Sequence, residues 1–324
     1  MYNQAELKQL VDKAITNLSY NQEAVKLIDP VRYTLSIGGK RIRPVLALMA
    51  CNLFSDQIDD AVMPAVGLEV FHNFTLVHDD IMDHATVRRN FPTVHNKYNL
   101  NQAVLSGDVM AFIANECFLQ TPAESLIAVF KIFNKSAVEV CVGQQLDIDY
   151  ENARFVSEAE YLRMIELKTS VLLAAAAKIG GLIGGAGPKD SDLLYEFGRN
   201  LGLAFQIQDD LLDSYGDEKV FGKATGGDIV SNKKTFLLVK AMEKAPAKTR
   251  KRLQELVAMQ EINPEEKIRS VMEIYDQLNI RSVTESIAGE FINKAFIKLE
   301  KVAVNKKRKG EIVQLAESLI NRQK

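Results

Sequence analysis

Cysteine is scarce: Cys51, Cys117 and Cys141 are scattered through 324 residues without a CxxC. That excludes a disulfide framework and a cysteine-built zinc cage, and it suits a reducing cytosol. An excess of charge of either sign is also missing, since the formal net charge is −2. No global basic field therefore recommends nucleic acid or an anionic membrane as a partner. An anionic ligand has to be caught by a local basic cluster or by metal. Proline is sparse, with eight residues, and period-two runs rich in β-branched residues are absent, which argues against a sheet. The nearest approach to a membrane span, Ser170 to Gly187, is interrupted by Lys178 and by grouped glycines. It reads as a tightly packed core helix, because a span wants about 20 uninterrupted apolar residues. The same glycines lack the Lys-Ser/Thr ending of a phosphate loop. The N-terminal stretch MYNQAELKQLVDKAI is polar and amphipathic, without an apolar signal core. The expectation is a cytoplasmic protein with no stable membrane insertion.

What is present is apolar spacing of three and four over long segments, the mark of helices. Ser157 with Glu160 forms a capping box, and Asn263-Pro264 reads as a cap and first helical position. Breaks are expected near Gly38-Gly39, Phe91-Pro92, Pro122, Gly187-Pro188 and between Tyr215 and Gly227. No repeat, low-complexity linker or composition shift divides the chain, so one all-α domain over residues 1–324 is expected. The charge run KVAVNKKRK, Lys301 to Lys309, reads as a solvated helix end or as a basic tail that closes over an anion.

The chemistry is written in two places. In HDDIMD, Asp79, Asp80 and Asp83 follow the apolar run from Phe71 to Val77. On a helix Asp79 and Asp83 are one turn apart and share a face. Carboxylates crowded beside apolar neighbours repel one another unless a cation compensates, and hard oxygen ligands suit Mg²⁺. In FQIQDDLLD, Asp209, Asp210 and Asp213 repeat the spacing. At average aspartate usage one DDxxD arises by chance in about one chain of this length in fifteen, but two arise in about one in four hundred. The pair is a signal.

Cations accompany the acids. GGKRIRP supplies Lys40, Arg41 and Arg43 on a glycine-loosened turn, and Arg88 and Arg89 follow Asp83 closely. Arginine forks take phosphate oxygens bidentately, and lysine acts as a compact point charge. All four histidines (His72, His78, His84 and His95) lie near the first motif. An HD-type metal phosphohydrolase would use a pair such as His78-Asp79. It also needs a histidine well upstream, whereas His72 is only six residues away, and it leaves the second motif idle.

Taken together, GGKRIRP, HNFTLVHDDIMD with VRR, GQQLD, LKT, FQIQDDLLD with FGK, and NKKTF resemble the trans-isoprenyl diphosphate synthases, in the family's order from about residue 38 to 236. The resemblance implies about a dozen helices around a central active-site cavity, with the two aspartate motifs facing each other across it, usually in a homodimer. It implies condensation of isopentenyl diphosphate with an allylic prenyl diphosphate, dependent on several Mg²⁺ ions. Carried over position by position, Lys40, Arg43, His72 and Arg89 would bind isopentenyl diphosphate. Asp79, Asp83 and Asp209 would hold the metal, with Asp80, Asp210 and Asp213 in the same catalytic set. Arg88, Lys168, Lys223 and Lys233 would grip the allylic diphosphate. The spacing between the last two is slightly longer than in some relatives, so Lys234 is the rival of Lys233. Thr169 and Gln206 would line the reacting carbons, and Gln144, Gln145 and Asp147 match a GQxxD helix.

In the family the residues five and four before the first aspartate form the floor under the growing chain, here Phe74 and Thr75. A ring at Phe74 implies a geranylgeranyl (C20) product, with farnesyl (C15) as the alternative. A class I terpene cyclase shares DDxxD but usually replaces the second aspartate motif and has no use for GGKRIRP. A non-catalytic partner subunit would be expected to have lost aspartates or the arginine pair, and none is missing.

Overall fold

Helices begin where capping residues are written. Asn3 and Ser157 each close a reciprocal capping box with the glutamate three residues on, Glu6 and Glu160. Asn263 caps a helix that opens with Pro264. The computed structural model describes residues 1–20, 22–151, 153–216, 225–259 and 263–320. Its first helices are α1 (Gln4–Thr16), α2 (Val25–Ser36), α3 (Ile42–Asn52), α4 (Asp59–Met82), α5 (Val94–Lys97), α6 (Leu100–Phe118), α7 (Ala123–Glu151), α8 (Glu158–Ile165), α9 (Val171–Ile183) and α10 (Pro188–Tyr215). The helices Gly227–Val230, Phe236–Lys244, Ala247–Ala258, Pro264–Gln277, Ile280–Glu300 and Gly310–Ile320 follow. Among the described residues the only strands are β1 (Val87–Arg88) and β2 (Phe91–Pro92), an antiparallel pair. The all-α expectation holds. The expected breaks at Gly38-Gly39, Phe91-Pro92, Pro122 and Gly187-Pro188 fall between helices or at a helix start, Phe91-Pro92 as β2, and much of the segment after Tyr215 lies outside the described residues.

Packing divides the chain into two compact units. The first comprises Met1–Asn134, Ala175–Tyr195 and Val302–Ile312. Within it α4 packs against α1, α3 and α6. Its buried face is broad, from Ala61 to Val77, as a core helix requires. A Cβ at Gly67 would lie 3.0 Å from the Ala114 carbonyl oxygen and the Phe118 ring, so glycine lets α4 and α6 close up. Gly180 and Gly184, one turn apart on α9, do the same against the α3 backbone at Ala47 and Cys51. The glycine-rich run is therefore a core helix. No helix among the described residues is long and apolar enough to cross a membrane. Part of the KVAVNKKRK run is anchored: Arg308 donates to the Asn52 carbonyl at 2.9 Å and pairs with Asp56 at 2.8 Å.

The second unit comprises Lys135–Ala174, Glu196–Lys301 and Val313–Lys324. One of its cores gathers Tyr161, Ile165, Ile207 and Phe236. Another gathers Leu211, Leu253, Val271 and Tyr275. Between α8 and α9 the chain widens into one π-helical stretch, Glu166–Ser170. Gly143 on α7 sits so close to it that a Cβ would overlap the Lys168 backbone. Gly202 on α10 meets Ser170 in the same way, with a Cβ 2.6 Å from the serine Cα.

Candidate active site

In the first unit the aspartate motif sits at the C-terminal end of α4, with Asp83 as the C-cap. One turn of helix separates Asp79 from Asp83, while Asp80 points to a different side and is buried. Its partner is Arg88, whose Nε donates to both carboxylate oxygens at 2.8 and 2.9 Å and whose Nη2 lies 2.6 Å away. The same guanidinium is 3.9 Å from Asp79. Burial raises the Asp80 pKa and the Arg88 contacts pull against it.

Arg88 is aimed by the β1–β2 turn. Arg89 and Asn90, its two central residues, have φ of 53° and 66°, the geometry of a type I′ hairpin. Arg89 donates to the Gly38 carbonyl. Gly39, with φ of 147°, is the residue that allows this approach, because a Cβ there would stand 2.6 Å from the Arg89 Nη1. The two glycines before Lys40 thus seat an arginine 51 positions away.

Arg41 faces the other way. It is 4% exposed and pairs with Glu69 at 2.8 Å and Asp12 at 3.0 Å, while donating to the Leu35 carbonyl. Of the three cations in GGKRIRP, this one serves the core, and the resemblance assigns only Lys40 and Arg43 to the diphosphate. Glu69 also carries the Asn73 amide, at 3.1 Å. The charges of Arg43, Arg89, Arg88 and Arg41 all act on His72, and that of Arg89 acts on Arg43. Burial drives the Arg43 pKa down to about 10, helped by Arg89 and opposed by Glu69. Burial, then the charges of Arg43, Arg89, Arg88 and Arg41, hold His72 neutral, well below its ordinary value. Guanidinium groups gathered around a neutral imidazole have the chemistry to take an anion. Lys40 is exposed at its edge of the sequence motif.

Below Asp79 the α4 side chains form an aromatic row. Phe74 lies 4.9 Å from the His78 ring and 5.3 Å from Phe71, which in turn is 5.3 Å from Phe133. Thr75 donates its hydroxyl to the His72 carbonyl at 2.8 Å.

In the second unit the other aspartate motif lies near the end of α10. Asp209 is exposed, and Asp213 accepts from the Asp228 N–H at 3.0 Å. Asp210 is different: it is buried and accepts from Tyr161, from the Phe236 N–H at 2.8 Å and from Gln206 at 3.1 Å. Burial pushes its pKa up to about 7. Gln206 receives the Thr169 hydroxyl at 3.0 Å, so Thr169, Gln206 and Asp210 form one relay of oriented dipoles. Lys168, from the π-helical stretch, pairs with Asp147 at 2.6 Å. Lys233 is half-buried and acts electrostatically on Asp228. Lys234 donates to the Glu151 carbonyl at 3.2 Å. Lys223 lies outside the described residues.

Asp228 is the residue that motif spacing does not reveal. Burial and the carboxylates of Asp213, Asp209 and Asp147 raise its pKa to about 6, with Lys233 opposing. Mutual repulsion of this kind is what a divalent cation relieves. Among the described residues no three acidic, histidine or cysteine side chains form a ready-made metal cage.

An all-α chain with two acidic helix ends, an arginine cluster and a π-helical lysine belongs to the isoprenoid synthase fold class. A solved geranylgeranyl pyrophosphate synthase matches it at a TM-score of 0.94 and 38% identity, covering 100% of both chains. The polyprenyl synthetase family model matches residues 24–275, and the chain belongs to that family. Among curated relatives, the geranylgeranyl diphosphate synthase of Methanosarcina mazei is 41% identical over 236 residues, covering 72% of this chain and 73% of the relative. The geranylfarnesyl diphosphate synthase of Natronomonas pharaonis is 38% identical over 258 residues, covering 74% and 75%.

Proposed function

We propose that this chain is a short-chain prenyltransferase that condenses isopentenyl diphosphate with an allylic prenyl diphosphate, makes geranylgeranyl diphosphate and releases diphosphate. The observation that carries the reading is the pair of aspartate motifs together with the arginine cluster around His72. Two diphosphates need two sets of cations, and the chain supplies them.

Lys40, Arg43, Arg89 and neutral His72 hold the diphosphate of isopentenyl diphosphate. Arg88, Lys168, Lys223 and Lys233 hold the allylic diphosphate. Asp79, Asp83 and Asp209 are the residues that would hold Mg²⁺, which would supply the Lewis-acid charge that a departing diphosphate requires. As the allylic C–O bond breaks, the isopentenyl double bond attacks the allylic carbon and a new C–C bond forms. A proton then leaves to the released diphosphate and restores the alkene. The oriented Thr169–Gln206–Asp210 relay presents fixed oxygens to the cationic stage without reorganising. Water would quench that cation, so the site works dry.

Phe74 sets the product length. On the helix it stands about 7.5 Å below Asp79, backed by Phe71 and His78. The reading also includes a homodimer in the cytoplasm, supported by the family resemblance and by an exposed apolar stripe on α6. Leu105 and Phe112 on α6 and Leu119 at its C-cap recur every seven residues, all of them exposed.

The test is to incubate purified protein with Mg²⁺, labelled isopentenyl diphosphate and farnesyl diphosphate, and to identify the products by chromatography. A C20 diphosphate is expected. A C15 or C25 limit would keep the reaction and move the floor. Cyclic hydrocarbon, inorganic phosphate alone, or no turnover would overturn the proposal in favour of a terpene cyclase, a phosphohydrolase or a non-catalytic subunit.

A further inference from the structure

Lys267 is a buried ammonium far along the sequence from every motif. It lies on the helix Pro264–Gln277, is 3% exposed, and among the described residues its hydrogen-bond acceptors are both uncharged. One is the Val230 carbonyl at 3.3 Å, and the other is the Asn232 Oδ1 at 2.5 Å. Those two acceptors bracket the turn that leaves the short helix Gly227–Val230 and enters Lys233. Asn232 takes a left-handed φ of 59°, a conformation that costs an L-residue free energy unless something holds it. The turn is closed on its other side by the Lys233 N–H, which donates to the Asp228 carbonyl at 3.0 Å. Upstream, Gly226 packs on Ile268 of the same helix, where a Cβ would stand 2.8 Å from the isoleucine. One turn of the Pro264–Gln277 helix thus props the whole segment that carries Asp228 and Lys233.

Burying an ammonium with no carboxylate partner among the described residues is expensive. A surface lysine or a buried methionine would fill this position at lower cost if only packing mattered. We infer that Lys267 is a positioning residue for the allylic diphosphate site, fixing Lys233 and Asp228 through Asn232 and the Val230 carbonyl. The inference rests on the assignment of Lys233 to the allylic diphosphate.

Two variants test it. Lys267→Met keeps the length and apolar stem and removes the donor. Asn232→Gly keeps the left-handed backbone and removes the acceptor. Each is expected to raise the KM for farnesyl diphosphate by about tenfold, the scale of one lost hydrogen bond to a charged group, with the KM for isopentenyl diphosphate changed less than about twofold. The double variant should be no worse than either single one, because both break the same link. Should Lys267→Met fail to fold, Asn232→Gly alone reads the same link. Unchanged KM for farnesyl diphosphate in both variants, equal rises in both KM values, or additive effects in the double variant would overturn the inference. Lys233→Ala serves as the reference. If it leaves the farnesyl diphosphate KM unchanged, the assignment of Lys233 has failed; if it raises that KM while Lys267→Met does not, only the role of Lys267 has failed.

Discussion

Arg41 and Arg43 are two residues apart, yet one ties helices together through Glu69 and Asp12 and the other faces His72. Helix geometry accounts for the split. Arg41 is the left-handed N-cap of α3, with φ of 51°, whereas Arg43 lies inside its first turn. No spacing rule tells these fates apart, because both match a basic motif equally well. The His72 environment makes a titration prediction. The fold holds His72 neutral, while the unfolded chain takes up a proton below the ordinary histidine pKa of 6.5. Above that pH the group costs nothing; as pH falls through it, the unfolded state gains protons and stability declines. Denaturant unfolding of the ligand-free protein should show wild type losing up to about 2 kcal/mol more than His72→Gln between pH 7.5 and pH 5. Equal losses would mean that His72 is protonated in the fold. Phe74 gives a second prediction at this scale. Phe74→Ala should lengthen the principal product by at least one isoprene unit, read by chromatography, and an unchanged length would place the floor elsewhere.

The elements divide by how local their causes are. The capping box at Ser157 and the Asn263-Pro264 start act within three residues, so they are legible in the sequence and the structure has them; the equally local box at Asn3 comes from the structure. The β1–β2 hairpin is not legible. Its turn residues are Arg89 and Asn90 rather than a glycine pair, and its reward is tertiary, the seating of Arg88 on Asp80 and of Arg89 on Gly38. The π-helical stretch at Lys168 is hidden for another reason. One extra residue in a turn leaves apolar spacing almost unchanged. What holds that stretch is Gly143, which suggests a measurement. Gly143→Ala should cost about 1–3 kcal/mol as an overpacking change and lower kcat, since the methyl group pushes on the Lys168 backbone. Thermal unfolding and steady-state kinetics would reveal it; a neutral substitution would mean that α7 moves freely away from the stretch.

At the scale of the whole molecule, all-α architecture and the two acidic motifs are legible because helical periodicity and DDxxD both repeat within a few residues. Contacts of long sequence separation are not: Arg41 to Glu69, Tyr161 to Asp210 and Lys267 to Asn232 join residues 28 to 49 apart. The exposed stripe on α6 belongs to this scale too. Phe112, 68% exposed, is at its middle, and a charge there opposes burial against a second copy. In the proposed homodimer, Phe112→Glu should shift the protein from dimer to monomer in light scattering coupled to size exclusion. A dimer of undiminished stability would locate the interface on another face.

The central claim is that two acidic motifs and a divalent ion together draw off a diphosphate. Its most direct test is the rate of isopentenyl diphosphate incorporation as Mg²⁺ is titrated, in wild type, Asp79→Ala and Asp209→Ala, with circular dichroism to confirm folding. Wild type should need Mg²⁺ for turnover, and each variant should lose at least about 10²- to 10³-fold in rate while staying folded. Turnover in the presence of excess chelator, or near-normal rates in either variant, would contradict the account.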